Sequence, residues 1–253
     1  MAGTAVPRRL SWRLAEVVET VIETPRTKSL ILAAPGWVGH RPGQHVDVRL
    51  TAEDGYQAQR SYSIASAPDG ERVELTVERL EDGEVSPYLA DELRPGDKLE
   101  LRGPIGGYFT WEVADGGPLL LIAGGSGIAP LMAMIRHRAA AGAEVPVPTR
   151  LLYSSRSFDE IIYRQELARI AAADGSLDVI HTLTRTQPAE WDGYRRRIDE
   201  AMLAEVAWSP AERPLVYVCG PTRLVETVAS TLVAMSHEPA RVKTERFGPT
   251  GGT

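Results

Sequence analysis

The stretch Leu119–Ile135, LLLIAGGSGIAPLMAMI, decides how the second half of this chain folds. Leu119, Leu120, Leu121 and Ile122 run without a polar break, as in a strand buried on both faces. Glycines at 124, 125 and 127 make a tight turn, and apolar residues return from Ile128 at helical spacing. A strand, a glycine turn and a helix start leave unpaired backbone N–H groups at the positive end of a helix. That end favours phosphate. Gly125-Ser126-Gly127-Ile128-Ala129-Pro130 follows the dinucleotide pattern G-x-G-x-x-G except at its last position. Proline is at home in the first helical turn, where its missing N–H breaks no bond. A serine-hydrolase elbow would need glycine at Ile128, and a phosphate-binding P-loop would need a lysine that is absent. A turn that merely packs is the competing reading of the same residues.

Working outward toward the C-terminus, apolar runs alternate with helical patterns. TRLLYSS precedes a helix read over SFDEIIYRQELARIAAA (157–173). LDVIHTLTR precedes RIDEAMLAEVA, and PLVYVCG precedes TRLVETVASTLVAM. Strands joined by helices form a parallel sheet covered on both faces. The closing Gly248–Thr253 stretch reads as a mobile tail.

Toward the N-terminus the pattern changes. Up to Trp111, alternating segments are broken by Pro35-Gly36, Pro42-Gly43, Asp54-Gly55, Asp69-Gly70, Asp82-Gly83 and Pro95-Gly96. Closely spaced strands and turns of this kind predict a small antiparallel barrel. SPYLADEL predicts a short helix with Ser86 as its N-cap and Pro87 at its first position. Two domains are therefore expected, residues 1–115 as the barrel and 116–253 as the α/β sheet.

Composition narrows the function. A net charge of −6 over 253 residues gives nucleic acid no global attraction. One cysteine, Cys219, excludes a disulfide framework and an iron–sulfur or thiolate zinc site within the chain. The five histidines lack metal-ligand spacing and read as surface or strand residues. No apolar run is long enough for membrane insertion or for a signal peptide, so a cytoplasmic protein is expected.

Within the barrel half, Arg60-Ser61-Tyr62-Ser63 forms R-x-Y-S. On a strand, Arg60 and Tyr62 share one face while Ser61 and Ser63 share the other. Arginine suits a phosphate and tyrosine suits an aromatic ring. A half-exposed strand with no ligand accounts for the same residues. R-x-Y-S, GEVSPYL, RGPIGGYF, AGGSGIAP, YVCGP and TERF follow in one order. That order resembles the ferredoxin–NADP reductase superfamily from about Trp12 to Phe247. These are flavoproteins with an antiparallel flavin-binding barrel and a parallel α/β pyridine-nucleotide domain.

The resemblance implies a role for each matching residue. Arg60 would contact flavin phosphate, Tyr62 would stack on the flavin ring, and Ser63 would hydrogen-bond to it, with Ser61 beside them. Gly83, Val85 and Ser86 match the segment that holds a flavin pyrophosphate, which implies FAD rather than FMN. Gly125, Ser126 and Gly127 would hold the nicotinamide cofactor's pyrophosphate, and here proline is the expected last position. Cys219 and Gly220 match the place where nicotinamide meets flavin. Glu245 and Phe247 match a C-terminal Glu-x-aromatic near the ring. Ser63, Cys219 and Glu245 are the implied catalytic residues.

The chain departs from the plant-type pattern in two places. Phe247 stands for the usual tyrosine and is followed by six more residues, and Glu78 stands where a cation is common. Arg185 and the nearby Arg195–Arg197, including Arg197, are suited to a 2′-phosphate, and Thr184-Arg185 stands where the resemblance implies a Ser/Thr-Arg pair in NADPH-dependent relatives, so NADPH is expected rather than NADH; a solvated basic loop is the competing reading. The implied activity is hydride transfer from NAD(P)H to bound flavin. Electrons would then pass to a ferredoxin or another redox enzyme as partner. Two alternatives stay open: a flavin reductase that releases free reduced flavin, and a non-catalytic flavin- or nucleotide-binding regulatory subunit.

Overall fold

The computed structural model describes residues 10–142 and 146–248, so the tail from Pro249 onward lies outside the described residues. Six strands form an antiparallel sheet: β1 (Trp12–Thr24), β2 (Thr27–Ala33), β3 (His45–Thr51), β4 (Gln57–Ser63), β5 (Arg72–Glu78) and β6 (Lys98–Ile105). Their spatial order is β4-β3-β6-β1-β2-β5. The two edge strands meet where Ile64 bridges Leu75 and the Ala65 N–H donates to Glu74 O at 2.8 Å. The sheet therefore rolls into a barrel. Its interior is filled by the alternate residues Val46, Val48, Leu30, Leu32, Val73 and Leu75, all fully buried.

Five parallel strands follow: β7 (Leu119–Gly124), β8 (Thr149–Ser155), β9 (Leu177–Leu183), β10 (Leu215–Pro221) and β11 (Val242–Phe247), in the order β11-β10-β7-β8-β9. The helices are α1 (Ile128–Ala140), α2 (Arg164–Ala173), α3 (Glu200–Val206) and α4 (Thr222–Ala234). Every residue of the central strand β7 is buried. Leu119 and Leu121 face one core, while Leu120 and Ile122 face the other. None of the helices among the described residues is long and apolar enough to cross a membrane.

Helix α1 explains the apolar IAPLMAMI run. It is buried from Ile128 to Ile135 because it lies between the parallel sheet and barrel-side residues Ala65, Phe109 and Trp111. Its first polar residue, Arg136, reaches Glu74 of β5 at 2.9 Å and Glu166 of α2 at 2.7 Å.

Two local expectations differ. Ser86 does not cap the short helix. Its hydroxyl accepts from the Leu80 N–H at 3.0 Å, and the helix over Tyr88–Glu92 is a wide π turn without a side-chain cap. The helix read from Ser157 begins only at Arg164, because Tyr163 sits at φ 58. A left-handed tyrosine is costly and needs surroundings that over-determine it. Here its N–H donates to Glu23 Oε2 at 3.3 Å, its hydroxyl donates to Glu74 Oε1 at 3.2 Å and contacts Thr76 Oγ1, and Arg136 lies over its ring. Glu23, Glu74 and Thr76 come from the barrel, so tertiary contacts override the local helical pattern.

Candidate functional site

The glycine turn sits at the C-terminal end of β7, beyond the centre of the parallel sheet, where ligands bind in open α/β sheets. Gly125–Gly127 makes one tight 3-10 turn, and Gly125 has φ +54. A Cβ on Gly127 would lie 2.3 Å from Cys219 O and 2.7 Å from Gly220 N. One on Gly220 would lie 3.1 Å from Gly124 N. These glycines thus press the turn onto the end of β10. The packing role is met, and the N-terminus of α1 is left without a side-chain cap. The Ser126 hydroxyl donates to Glu78 Oε2 of β5 at 2.8 Å.

On the barrel side, Arg60 and Tyr62 lie opposite Val48 and Val46, while Ser61 and Ser63 lie opposite Asp47 and His45. Arg60 is exposed and pairs with Glu84 at 2.6 Å. That ion pair joins β4 to the segment carrying Gly83, Val85 and Ser86. Val85 is fully buried, and a Cβ on Gly83 would meet Ser86 Oγ at 2.7 Å, so the segment is tightly seated. Tyr62 is half-buried against the barrel core, and burial pushes its phenol up to about 12. The Ser61 hydroxyl donates to Asp47 Oδ1 at 2.7 Å, and Asp47 also accepts from Arg102 at 2.7 Å. Ser61 is thereby committed within the sheet.

Cys219 and Glu245 are parallel neighbours on β10 and β11. Cys219 is 2% exposed, and burial, followed by the Glu245 charge, pushes its thiol well up. A thiol kept protonated in this way is no nucleophile. Burial pushes the Glu245 carboxyl up to about 7. Its Oε1 stands 4.0 Å from Nδ1 of His45, and its Oε2 is buried without a hydrogen-bond partner. His45, the strand partner of Ser63, thus approaches Glu245, the strand partner of Cys219, across the two domains. An orphaned carboxylate oxygen in this seam fits a polar ring group delivered by a ligand. Sequence reasoning passed over His45. Its one signal was its place in the alternating His45–Leu50 segment; the pairing opposite Ser63 is set by the folded sheet. Phe247 ends β11 beside Pro221 and is 36% exposed.

At the same C-terminal end of the sheet, beyond β8 and β9, the Thr184 hydroxyl donates to Ser155 O at 3.2 Å and ties the two strands together. Arg185 is exposed and borders a cleft of about 340 Å³ with Arg26, Arg156, Asp159 and Glu160. Arg26 comes from the β1–β2 hairpin and Arg156 follows β8. Neither stood out in the sequence, since nothing local marks two distant arginines as facing one cleft. Of the next three arginines, Arg195 donates to Trp191 O, Arg196 pairs with Asp199 at 2.8 Å, and Arg197 is exposed.

Residues 16–110 match the oxidoreductase FAD-binding domain family, and residues 121–230 match the oxidoreductase NAD-binding domain family. Ferredoxin–NADP reductase B of Sorangium cellulosum is 37% identical over 193 residues, covering 74% of this chain and 76% of that protein. The chain belongs to the ferredoxin–NADP reductase family. A second family relative is the glycine betaine monooxygenase reductase subunit of Pseudomonas aeruginosa, 32% identical over 242 residues. That match covers 94% of this chain, which spans 64% of the subunit's length. The family fold is also seen in the FAD/NAD-binding domain of nitric oxide dioxygenase from Vibrio cholerae. It superposes with a TM-score of 0.83 at 27% identity, covering 94% of this chain and 99% of that one. Both halves of this reductase fold are therefore present, one for FAD and one for NAD(P).

Proposed function

We propose that this chain is an NAD(P)H-dependent flavoprotein reductase that takes its electrons from NADPH in preference to NADH. Its products would be electrons passed to a separate redox protein, a ferredoxin or an oxygenase component. Bound FAD would supply the conversion of a hydride pair into single electrons. The observation that carries this reading is the approach of His45, the strand partner of Ser63, to Glu245, the strand partner of Cys219, beside the glycine turn. In this reading the two domains divide near residue 115, with residues 1–115 as the flavin-binding barrel and 116–253 as the nucleotide-binding sheet.

In this reading Arg60 holds a flavin phosphate, and the Gly83, Val85 and Ser86 segment supplies the second phosphate contact that selects FAD over FMN. Tyr62 offers its ring face to the flavin, and Ser61 sets the strand through Asp47. Gly125, Ser126 and Gly127 cradle the nicotinamide cofactor's pyrophosphate. Gly220 keeps that turn close to Cys219, whose buried thiol shapes the nicotinamide end. Glu245 holds a proton near neutral pH at the same seam, and Phe247 shields it from water. Thr184, Arg185 and Arg197 mark the 2′-phosphate end, and the arginines of the 340 Å³ cleft support the preference for NADPH. The monooxygenase context of the P. aeruginosa relative supports an oxygenase partner.

The test is an anaerobic titration of the FAD-loaded protein with NADPH and, in parallel, NADH, followed by visible absorption. Rapid bleaching by NADPH supports the whole reading. Faster bleaching by NADH removes the 2′-phosphate assignment alone. No bleaching by either nucleotide removes the reductase reading.

A further inference from the structure

The glycine turn is not electrostatically empty. Glu78, the last residue of β5, sends its carboxylate across from the barrel, and the Ser126 hydroxyl donates to its Oε2 at 2.8 Å. A Cβ built on Gly125 would lie 3.9 Å from the same oxygen, so the carboxylate lies against the turn itself. Among the described residues, no Arg, Lys or His nitrogen pairs with Glu78; its neighbour Arg79 is taken up by Asp91 at 2.7 Å. The turn is braced from the other side, where the Tyr153 hydroxyl donates to Gly125 O at 3.1 Å. Glu78 is therefore the anion that meets this end of α1, whose own sequence offers no acidic residue in its first turn and no side-chain cap.

We infer that Glu78 sets the affinity of the glycine turn for nucleotide pyrophosphate by acting as a built-in anion with which the incoming pyrophosphate must compete for the Ser126 proton. A serine hydroxyl has one proton to donate. While Ser126 gives it to Glu78, it cannot give it to a phosphate oxygen. Once the pyrophosphate arrives, a fixed negative charge stands beside it, and like charges in a half-buried site repel more strongly than in water. Glu78 thus weakens binding and speeds release of the oxidised nucleotide. It also stabilises the empty turn, because it satisfies a donor that would otherwise face the helix end alone. This inference rests on the reading of the turn as the pyrophosphate cradle.

The test measures the dissociation constant of NADP+ on the FAD-loaded protein, by flavin difference spectra, in wild type, Glu78→Gln and Ser126→Ala. Glutamine keeps an acceptor for Ser126 and removes only the charge. Glu78→Gln is expected to bind NADP+ about tenfold more tightly, with the difference shrinking as salt is raised. Unchanged or weaker binding in Glu78→Gln, with a clear change in Ser126→Ala, overturns the role of Glu78 and leaves the cradle standing. No change in either variant overturns the inference and the cradle reading together.

Discussion

Nδ1 of His45 and Oε1 of Glu245 stand 4.0 Å apart, one on the barrel and one on the last strand of the parallel sheet. Residues 200 positions apart in the chain thus face each other across the seam between the two domains. Burial acts on both in the direction of the neutral form. It pushes the Glu245 carboxyl up to about 7 and lowers the His45 imidazole, with Asp47 opposing the latter shift. A seam that disfavours charge and keeps one carboxylate oxygen unpartnered is suited to a ligand that supplies its own polar ring atoms.

The first prediction follows from the raised Glu245 carboxyl. Its folded value of about 7 lies above the ordinary 4.5, so the folded protein holds this proton more tightly than the unfolded chain does. The contribution is fully present below pH 4.5 and is lost as pH rises to about 7. Glu245→Gln should therefore stabilise the flavin-free protein at pH 8, by about 1–2 kcal/mol, and have little effect at pH 4.5. Urea unfolding at the two pH values checks it. An equal effect at both removes the assignment of the raised carboxyl.

Arg136 predicts how firmly the two domains are joined. It is 17% exposed and lies between Glu74 and Glu166. Removing one partner of a buried ion cluster leaves the others uncompensated, so Arg136→Ala should destabilise by about 3–5 kcal/mol. Tyr163→Phe deletes only the hydroxyl that contacts Thr76 and Glu74, and should destabilise by about 1–3 kcal/mol. Thermal unfolding of both variants gives the comparison.

Gly127 predicts a coupled loss. Its missing Cβ is the reason the turn can lie on Cys219 O. Gly127→Ala should destabilise by about 1–3 kcal/mol through overpacking. It should also weaken nucleotide binding and raise the rate at which a thiol reagent reaches Cys219. A reagent rate identical to wild type would show that the turn does not press on β10.

Arg185 and Arg156 predict cofactor choice. Both border the cleft beyond the C-terminal ends of β8 and β9. Losing one charge-assisted hydrogen bond to a 2′-phosphate should raise the KM for NADPH about tenfold or more and leave that for NADH nearly unchanged. Steady-state kinetics of Arg185→Ala and Arg156→Ala with both nucleotides decide the point. Equal effects on the two nucleotides would place the 2′-phosphate elsewhere.

Local pattern was sufficient for much of this protein. The unbroken Leu119–Ile122 run, followed at once by a glycine turn, reads as a strand covered on both faces, and the alternation of His45–Leu50 with the Pro-Gly and Asp-Gly breaks reads as short antiparallel strands; both are what the structure contains. The glycine turn declared its place between strand and helix, because close approach and φ above zero both require glycine. What the chain alone could not decide is everything that depends on two distant segments meeting. Tyr163 leaves the helix its neighbours prescribe because Glu23, Glu74 and Thr76 of the barrel hold it there. Ser61 turns to Asp47, and Glu78 turns to Ser126, through contacts made across strands and across domains. His45 becomes part of the site only because β3 and β11 end at one seam. Hydrophobic periodicity is a local property and fixes elements. The partner of a polar side chain is set by where the folded cores place those elements, and that is decided by packing.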